Sequence, residues 1–468
     1  MRKAKYVITM LTILSLSMLA AAQPGAVDIG SRLELFVDDY LIERMDGVEQ
    51  RLNHPVRRET ALVFDAPWEG DTSGYVTVFR DDAGFRMYYR GSRRKPARQE
   101  NTCVALSRDG ITWERPGLGI VEYAGSKENN IVWTGPGAHA FAPFRDTNPD
   151  AKPDEPYKAV GPSSGSGKAA LHAFVSADGY HWKPVKAEPI ITAGNFDSQN
   201  LAFWDPNREE YVCYFRAFKG GEWPAGRRDI KRSTSKDFVN WTEPEWLVYP
   251  GAPDEQLYTN AIIPYFRAPH IYLGFPKRYI PDRRDHGGDG VSDGIFMSSR
   301  DGITFHRWVE AFVRPGLDEK NWVDRTCMAS WGMLETAPGE LSLYYLERNY
   351  DPTHRVSRYA IRTDGFVSIH AGSGTGTMTT KPLVFNGKEL VINYSSSSAG
   401  GIRVEIQDAA GRPLPGFVLA DCPVIYGDEL ERIVRWTGGS DVSGLAGRPV
   451  RLKFELTDAD LYSIRFRQ

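Results

Sequence analysis

Three aspartates in this 468-residue chain share one offset: Asp71, Asp197 and Asp324 stand four residues ahead of Tyr75, Leu201 and Met328, where apolar runs begin. Glu69, His139, Asp254, Glu255, Tyr258 and Arg325 occupy comparable stretches. Arg90, Arg216, Lys277, Arg278, Glu347 and Arg348 sit where the following apolar runs end. Crowded carboxyl groups do not titrate alike, because burial and repulsion raise one pKa while a nearby guanidinium keeps another group ionised. Such a pair can protonate a leaving oxygen and activate water, the chemistry that hydrolyses a glycosidic bond. A single loop carboxylate is usually solvated or caps a turn; the shared offset singles these out. Trp68, Trp204, Trp223, Trp322 and Trp331 lie near the same segments, where each would stack on a sugar face or pack between sheets.

Residues so far apart meet only if a repeated element brings them round one axis. The repeat is Ser107-Arg-Asp-Gly-Ile-Thr-Trp113, which returns as Ser176 to Trp182, Ser235 to Trp241, Ser299 to Phe305 and, more weakly, Arg362 to Phe366. Its aspartates, Asp109, Asp178, Asp237, Asp301 and Asp364, are 69, 59, 64 and 63 residues apart, room for one small sheet each. Asp-Gly is a hairpin signal, and these aspartates read as turn staples. Each repeat divides into four short apolar runs with the motif between the third and fourth. The expectation is an all-β chain: a five-bladed β-propeller over 61–372, then a C-terminal β-sandwich over 373–468. The change of composition at 371–376 marks the junction. Residues 23–60 form a lead-in segment whose placement the pattern leaves open.

Aromatic content of 12%, with 45 Gly and 30 Pro, fits a turn-rich β protein. A net charge of −3 gives no reason to expect nucleic acid as a partner, and no segment is long enough to span a membrane after the N-terminus. Residues 1–22 read as a signal peptide cleaved near Ala22, so the expected location is exported, periplasmic or extracellular. Cys103, Cys213, Cys327 and Cys422 lie amid apolar residues and read as buried free thiols. No metal or cofactor is expected from histidine spacing. Asp285, Asp289 and Asp293 lie in a Gly-rich loop that is either solvated or a structural calcium site. Gly161 to Lys168 fails as a phosphate loop, its spacing off by one and Ala169 replacing Ser or Thr.

With its inner-strand Asp71, this arrangement resembles the five-bladed glycoside hydrolases of families 43 and 32 and their relatives of family 117. Asp71 matches the Asp that opens the first blade in families 43 and 32. Asp197 falls at the third-blade position, as Asp rather than Glu, and no Asp stands at the second-blade place. The Asn-Asp-Pro and Arg-Asp-Pro signatures of family 32 are absent. Phe36 to Glu43, Asp197 to Asn200 and Tyr258 to Ile262 also resemble a group of exported bacterial glycosyl-hydrolase-like proteins, and the C-terminal part resembles the sandwich that follows a family 32 propeller. The turn motif is similar to the Asp boxes of sialidases, one residue shorter. The resemblance implies a glycosidase with a carbohydrate substrate. Asp71 would be base or nucleophile, Glu255 or Asp197 the acid, and Asp324 the group that tunes or orients. Glu69, Arg90, His139, Arg216, Tyr258, Lys277, Arg278, Arg325 and Glu347 would contact substrate. An arginine cluster such as Arg90, Arg216 and Arg278 leaves an anionic sugar open. The reading from another class is a glycan-binding module without catalysis.

Overall fold

The computed structural model describes residues 25–95, 99–163, 170–222, 224–285 and 288–468. The signal-peptide expectation, Trp223, most of the phosphate-loop look-alike and part of the Asp285 to Asp293 loop fall outside these. The described chain is all-β, its only helical pieces being three-residue 3-10 turns, and none of its helices is long and apolar enough to cross a membrane.

The first sheet runs Gly74–Asp81, Gly84–Gly91, Asn101–Ser107 and Ile131–Thr134, neighbours antiparallel. The run directly after the motif's Asp-Gly turn, 111–114, is not its fourth strand and makes only the Leu106 to Glu114 bridge. The reason is local: Asp109 captures the Ile111 and Thr112 amides, and Pro116 lacks the N–H a ladder needs. The second sheet is Ala142–Arg145, Tyr157–Pro162, Leu171–Ser176 and Trp182–Pro184. The third is Leu201–Asp205, Glu210–Lys219, Arg227–Ser235 and Glu245–Trp246. The fourth holds Ile263–Tyr265, Ala268–Gly274, Met297–Ser299 and Phe305–Arg307. Beside it Gln256–Leu257, Lys277–Ile280 and Val291–Gly294 form a separate three-stranded sheet that the apolar pattern does not signal.

The fifth sheet pairs Met328–Ala329 with Glu340–Glu347, then Arg355–Arg362, and its last strand is Val56–Val63 from the lead-in segment. The run after the fifth motif, Val367–Ala371, leaves this sheet and pairs with Glu49–Leu52 and with Val450–Arg467. The weak fifth motif explains the swap. Arg362 replaces the Ser, and Asp364, at φ 63, turns the chain away.

The four full motifs fold alike. Ser107 and Asp109 hydrogen bond to each other, Asp109 accepts two backbone amides, and Trp113 Nε1 donates to the Gly110 carbonyl at 3.2 Å. Asp178, Asp237 and Asp301 accept the equivalent amides, so these are turn staples as expected. The turns also join sheets: Tyr88 donates to Gly179 O at 2.9 Å, Tyr214 to Gly302 O at 2.7 Å, and Tyr344, in the fifth sheet, to Gly110 O in the first. The Trp331 amide donates to Val76 O and its carbonyl accepts from the Val78 amide, joining the fifth and first sheets as well.

The remaining strands form one ten-stranded hydrogen-bonded sheet around its own apolar core. Glu389–Asp408 and Val450–Arg467 run through what the sequence pattern divides into four strands, with a register break between Ser396 and Gly401. Val27–Gly30, Glu34–Leu35, Ile42–Asp46 and Glu49–Leu52 join this sheet, which places the lead-in. All four cysteines are buried and free.

Candidate active site

His139 lies in the 3-10 turn Ala138–Ala140, entered through Gly137 at φ 94, a left-handed angle that glycine adopts readily. Its Nδ1 is 2.8 Å from Glu100 Oε2 and its Nε2 is 3.1 Å from Asp197 Oδ1. Glu100 immediately precedes Asn101–Ser107, while Asp197 precedes Leu201–Asp205, so three sheets meet at this imidazole. Arg90, near the end of Gly84–Gly91, sits 3.2 Å from His139 Nδ1 and 3.3 Å from Glu100, and donates to the Thr72 carbonyl at 2.6 Å. Arg216 Nη2 approaches Asp197 Oδ2 to 3.7 Å. The Asp197 side chain is 63% exposed, which leaves this carboxylate open to solvent.

Tyr75 and Tyr258 join a second half to the first. Their hydroxyls are 3.1 Å apart, and Tyr258 OH donates to the Asp197 carbonyl at 3.3 Å. The Tyr258 ring lies among cations, with Lys277 Nζ 4.0 Å, Arg216 4.8 Å and Arg325 5.9 Å from its centroid. Lys277, fully buried, is paired with Asp324, which also accepts from Ser292 Oγ at 3.0 Å. Arg325 Nε is 3.6 Å from Asp324 Oδ2, too far for a hydrogen bond, and has no other hydrogen-bond partner. Tyr75, Ala261, Arg325, Cys327 and Tyr350 all have φ between 42 and 69. Non-glycine residues in this region are uncommon and tend to cluster at functional sites.

Burial alone would raise the Asp197 pKa, but the bond from His139 and the nearby Arg216 outweigh it and hold the carboxyl down at about 2. Asp197 is therefore ionised at neutral pH. Burial likewise opposes ionisation of Glu100 and Asp324, and their cationic partners overcome it in both. His139 is raised: burial pulls it down, while its bonds to Asp197 and Glu100 pull it up further. Desolvation brings Lys277 down to about 8, against the opposing pull of Asp324.

Asp71 lies next to this group. Its carboxylate accepts the Arg94 amide at 2.9 Å and its carbonyl accepts the Tyr350 amide at 2.8 Å. Several other expected site residues are engaged apart from it. Glu69 is fully buried and bonds Tyr89 and Arg115. Glu347 is buried between Arg57 and Arg355 and also accepts from Tyr359. Glu255 is ion-paired with Arg278 and Arg307, Arg278 is shared with Asp293, and Asp254 is paired with Arg227. Among the aromatics, Trp331 is buried with its Nε1 donating to Ile262 O, and Trp68 donates to Asn130.

Glu100 is the member that reading inner-strand starts and second-strand ends leaves out. The signal was available, because a hairpin's third strand starts where its second ends.

No protein-family model matches the sequence, and comparison with curated proteins returned no match. Similar solved structures include a glycoside hydrolase, 13% identical with a TM-score of 0.49, covering 68% of this chain and 95% of that one. A thermostable family-43 glycoside hydrolase is 14% identical with a TM-score of 0.45 over 69% and 96% of the two chains. The β-1,2-mannobiose phosphorylase from Listeria innocua is 13% identical with a TM-score of 0.47 over 66% and 96%.

Proposed function

We propose that this protein is an exported glycoside hydrolase, built as a five-bladed β-propeller over 61–372 that is closed by the strand Val56–Val63, with a β-sandwich over 373–468. The observation that carries the reading is His139 held between Glu100 and Asp197, three groups from three sheets, with Asp197 open to solvent. The two carboxylates favour the cationic imidazole over the neutral one, which supports His139 as the proton donor in place of Glu255 or Asp197. Arg90 donates both to the Thr72 carbonyl, next to Asp71, and to Glu100, the carboxylate that holds His139, and so links the two sides of the site.

In this mechanism His139 gives its proton to the leaving oxygen as the glycosidic C–O bond breaks. Water adds to the sugar carbon and gives its proton to Asp71, while the buried Asp324, paired with Lys277, holds Arg325 in position beside the sugar. The test compares His139→Gln with Asp71→Asn on plant and algal glycans and on aryl glycosides whose leaving group needs no proton. His139→Gln should lose glycan cleavage by on the order of a hundredfold or more yet keep aryl-glycoside turnover, and Asp71→Asn should lose both. Equal losses on the two substrates would remove His139 from the acid role. Binding without turnover by the wild type would leave a glycan-binding module instead.

A further inference from the structure

The charges at the site do not cancel. Arg90, Arg216, Lys277 and Arg325 are cations gathered around His139 and Tyr258. The carboxylates in contact with them are Glu100, Asp197 and Asp324. Asp71 is matched by Arg94, and in the adjoining group Arg278 and Arg307 balance Glu255 and Asp293. Even without the imidazole, four cations meet three carboxylates, so positive charge is in excess here, in a chain whose net charge is −3.

This excess sits in poorly solvated surroundings. The side chains of Lys277, Arg216 and Arg90 are 0%, 3% and 5% exposed, so water cannot disperse their charge. Uncompensated cations in such a place are costly unless an anion joins them. Arg325 is the one positioned to receive it. Its backbone amide is held at φ 66 by Ser292 and Asp324, its side chain is part-exposed, and its guanidinium makes no hydrogen bond among the described residues, only the 3.6 Å contact with Asp324. A guanidinium with unused donors, flanked by an ammonium, suits a planar oxyanion.

We infer that the sugar bound here carries an anionic group, a carboxylate or a sulfate ester, received by Arg325 with Lys277 and Arg216 beside it. The inference rests on the carbohydrate reading above and narrows its substrate class. Arg278, the third arginine of the cluster suggested by sequence, is not available for it because Glu255 and Asp293 hold it.

The experiment measures binding by calorimetry, independently of turnover, so that loss of cleavage and loss of anion preference are read separately. The probes are D-glucuronate and D-galacturonate, their methyl esters, glucose 6-sulfate, glucose and inorganic sulfate. A uronate or the sulfated sugar should bind on the order of tenfold to a hundredfold more tightly than its neutral counterpart, the scale of a charge-assisted hydrogen bond. Whichever of the two classes binds identifies the anion. Arg325→Gln should erase the preference and Arg325→Lys should keep part of it, each checked for an unchanged melting temperature; if Gln unfolds the protein, the Lys variant alone decides. Equal binding of acid and ester overturns the proposal, as does inorganic sulfate binding as tightly as the sulfated sugar, which would mean an adventitious ion only. If an anionic sugar binds selectively but no glycan is cleaved, the inference survives while the hydrolase mechanism fails.

Discussion

Each of the principal side chains at the site is set by a partner. Glu100 and Asp197 flank His139 and favour its cationic form, so the activity proposed for it should fall as pH rises through its elevated pKa. The same shift is a stability statement. A histidine raised on folding stabilises the fold below its unfolded pKa of about 6.5, and that contribution disappears as pH climbs through the folded value. A glycan-cleavage profile of the wild type should show this alkaline limb, and His139→Gln should lack it on aryl glycosides. An unchanged limb in the variant would assign it to another group. The shared offset of acids before apolar runs makes Asp71, Asp197 and Asp324 legible from sequence, and turn geometry does the same for Asp109. What stays hidden are pairings between sheets: nothing local says that Glu255 faces Arg307 or that Glu69 is buried under Arg115.

Between elements, the turn motif works twice, bending its own hairpin and offering a carbonyl to the neighbouring sheet. Removing the Tyr344 hydroxyl should therefore weaken the joint between the fifth and first sheets. Tyr344→Phe is expected to lower stability by about 1 kcal/mol in urea unfolding, since it leaves Trp113 Nε1 alone on Gly110 O. Gly332 is a sterner case. Its φ of 104 and the Val78 carbonyl lying where a Cβ would stand should make Gly332→Ala destabilising by roughly 2 kcal/mol or more, read as a lower urea midpoint. An alanine variant of wild-type stability would contradict that geometry. Alternating apolar runs locate the inner three strands of most sheets to within a few residues. The outer strands of the first and fifth sheets, Ile131–Thr134 and Val56–Val63, escape the pattern because they lie far in sequence from the motif whose sheet they complete.

Across the whole molecule, Asp364 is the knot. Fully buried, it accepts from Tyr265 at 2.6 Å and Arg267 at 3.0 Å in the fourth sheet region, and from Asn393 at 3.3 Å and Ser463 at 3.1 Å in the ten-stranded sheet. Arg300 adds a second tie by pairing with Glu34 and Asp38. The wild type should therefore unfold in one calorimetric transition. Asp364→Ala, which strands Arg267, should cost about 3–5 kcal/mol and split or broaden that transition. Two well-separated transitions in the wild type would mean that these ties do not couple the parts.

The strand Val56–Val63 bonds to Arg355–Arg362, about 290 residues further along the chain. At the usual pace of synthesis, 5–20 residues per second, a ribosome needs roughly 15–60 s to deliver its partner. Throughout that wait one edge of bare amides and carbonyls has no mate, a template for strand pairing with other copies. Arg57, Arg58 and Glu59 in that stretch provide charges that discourage such encounters until Arg355–Arg362 arrives.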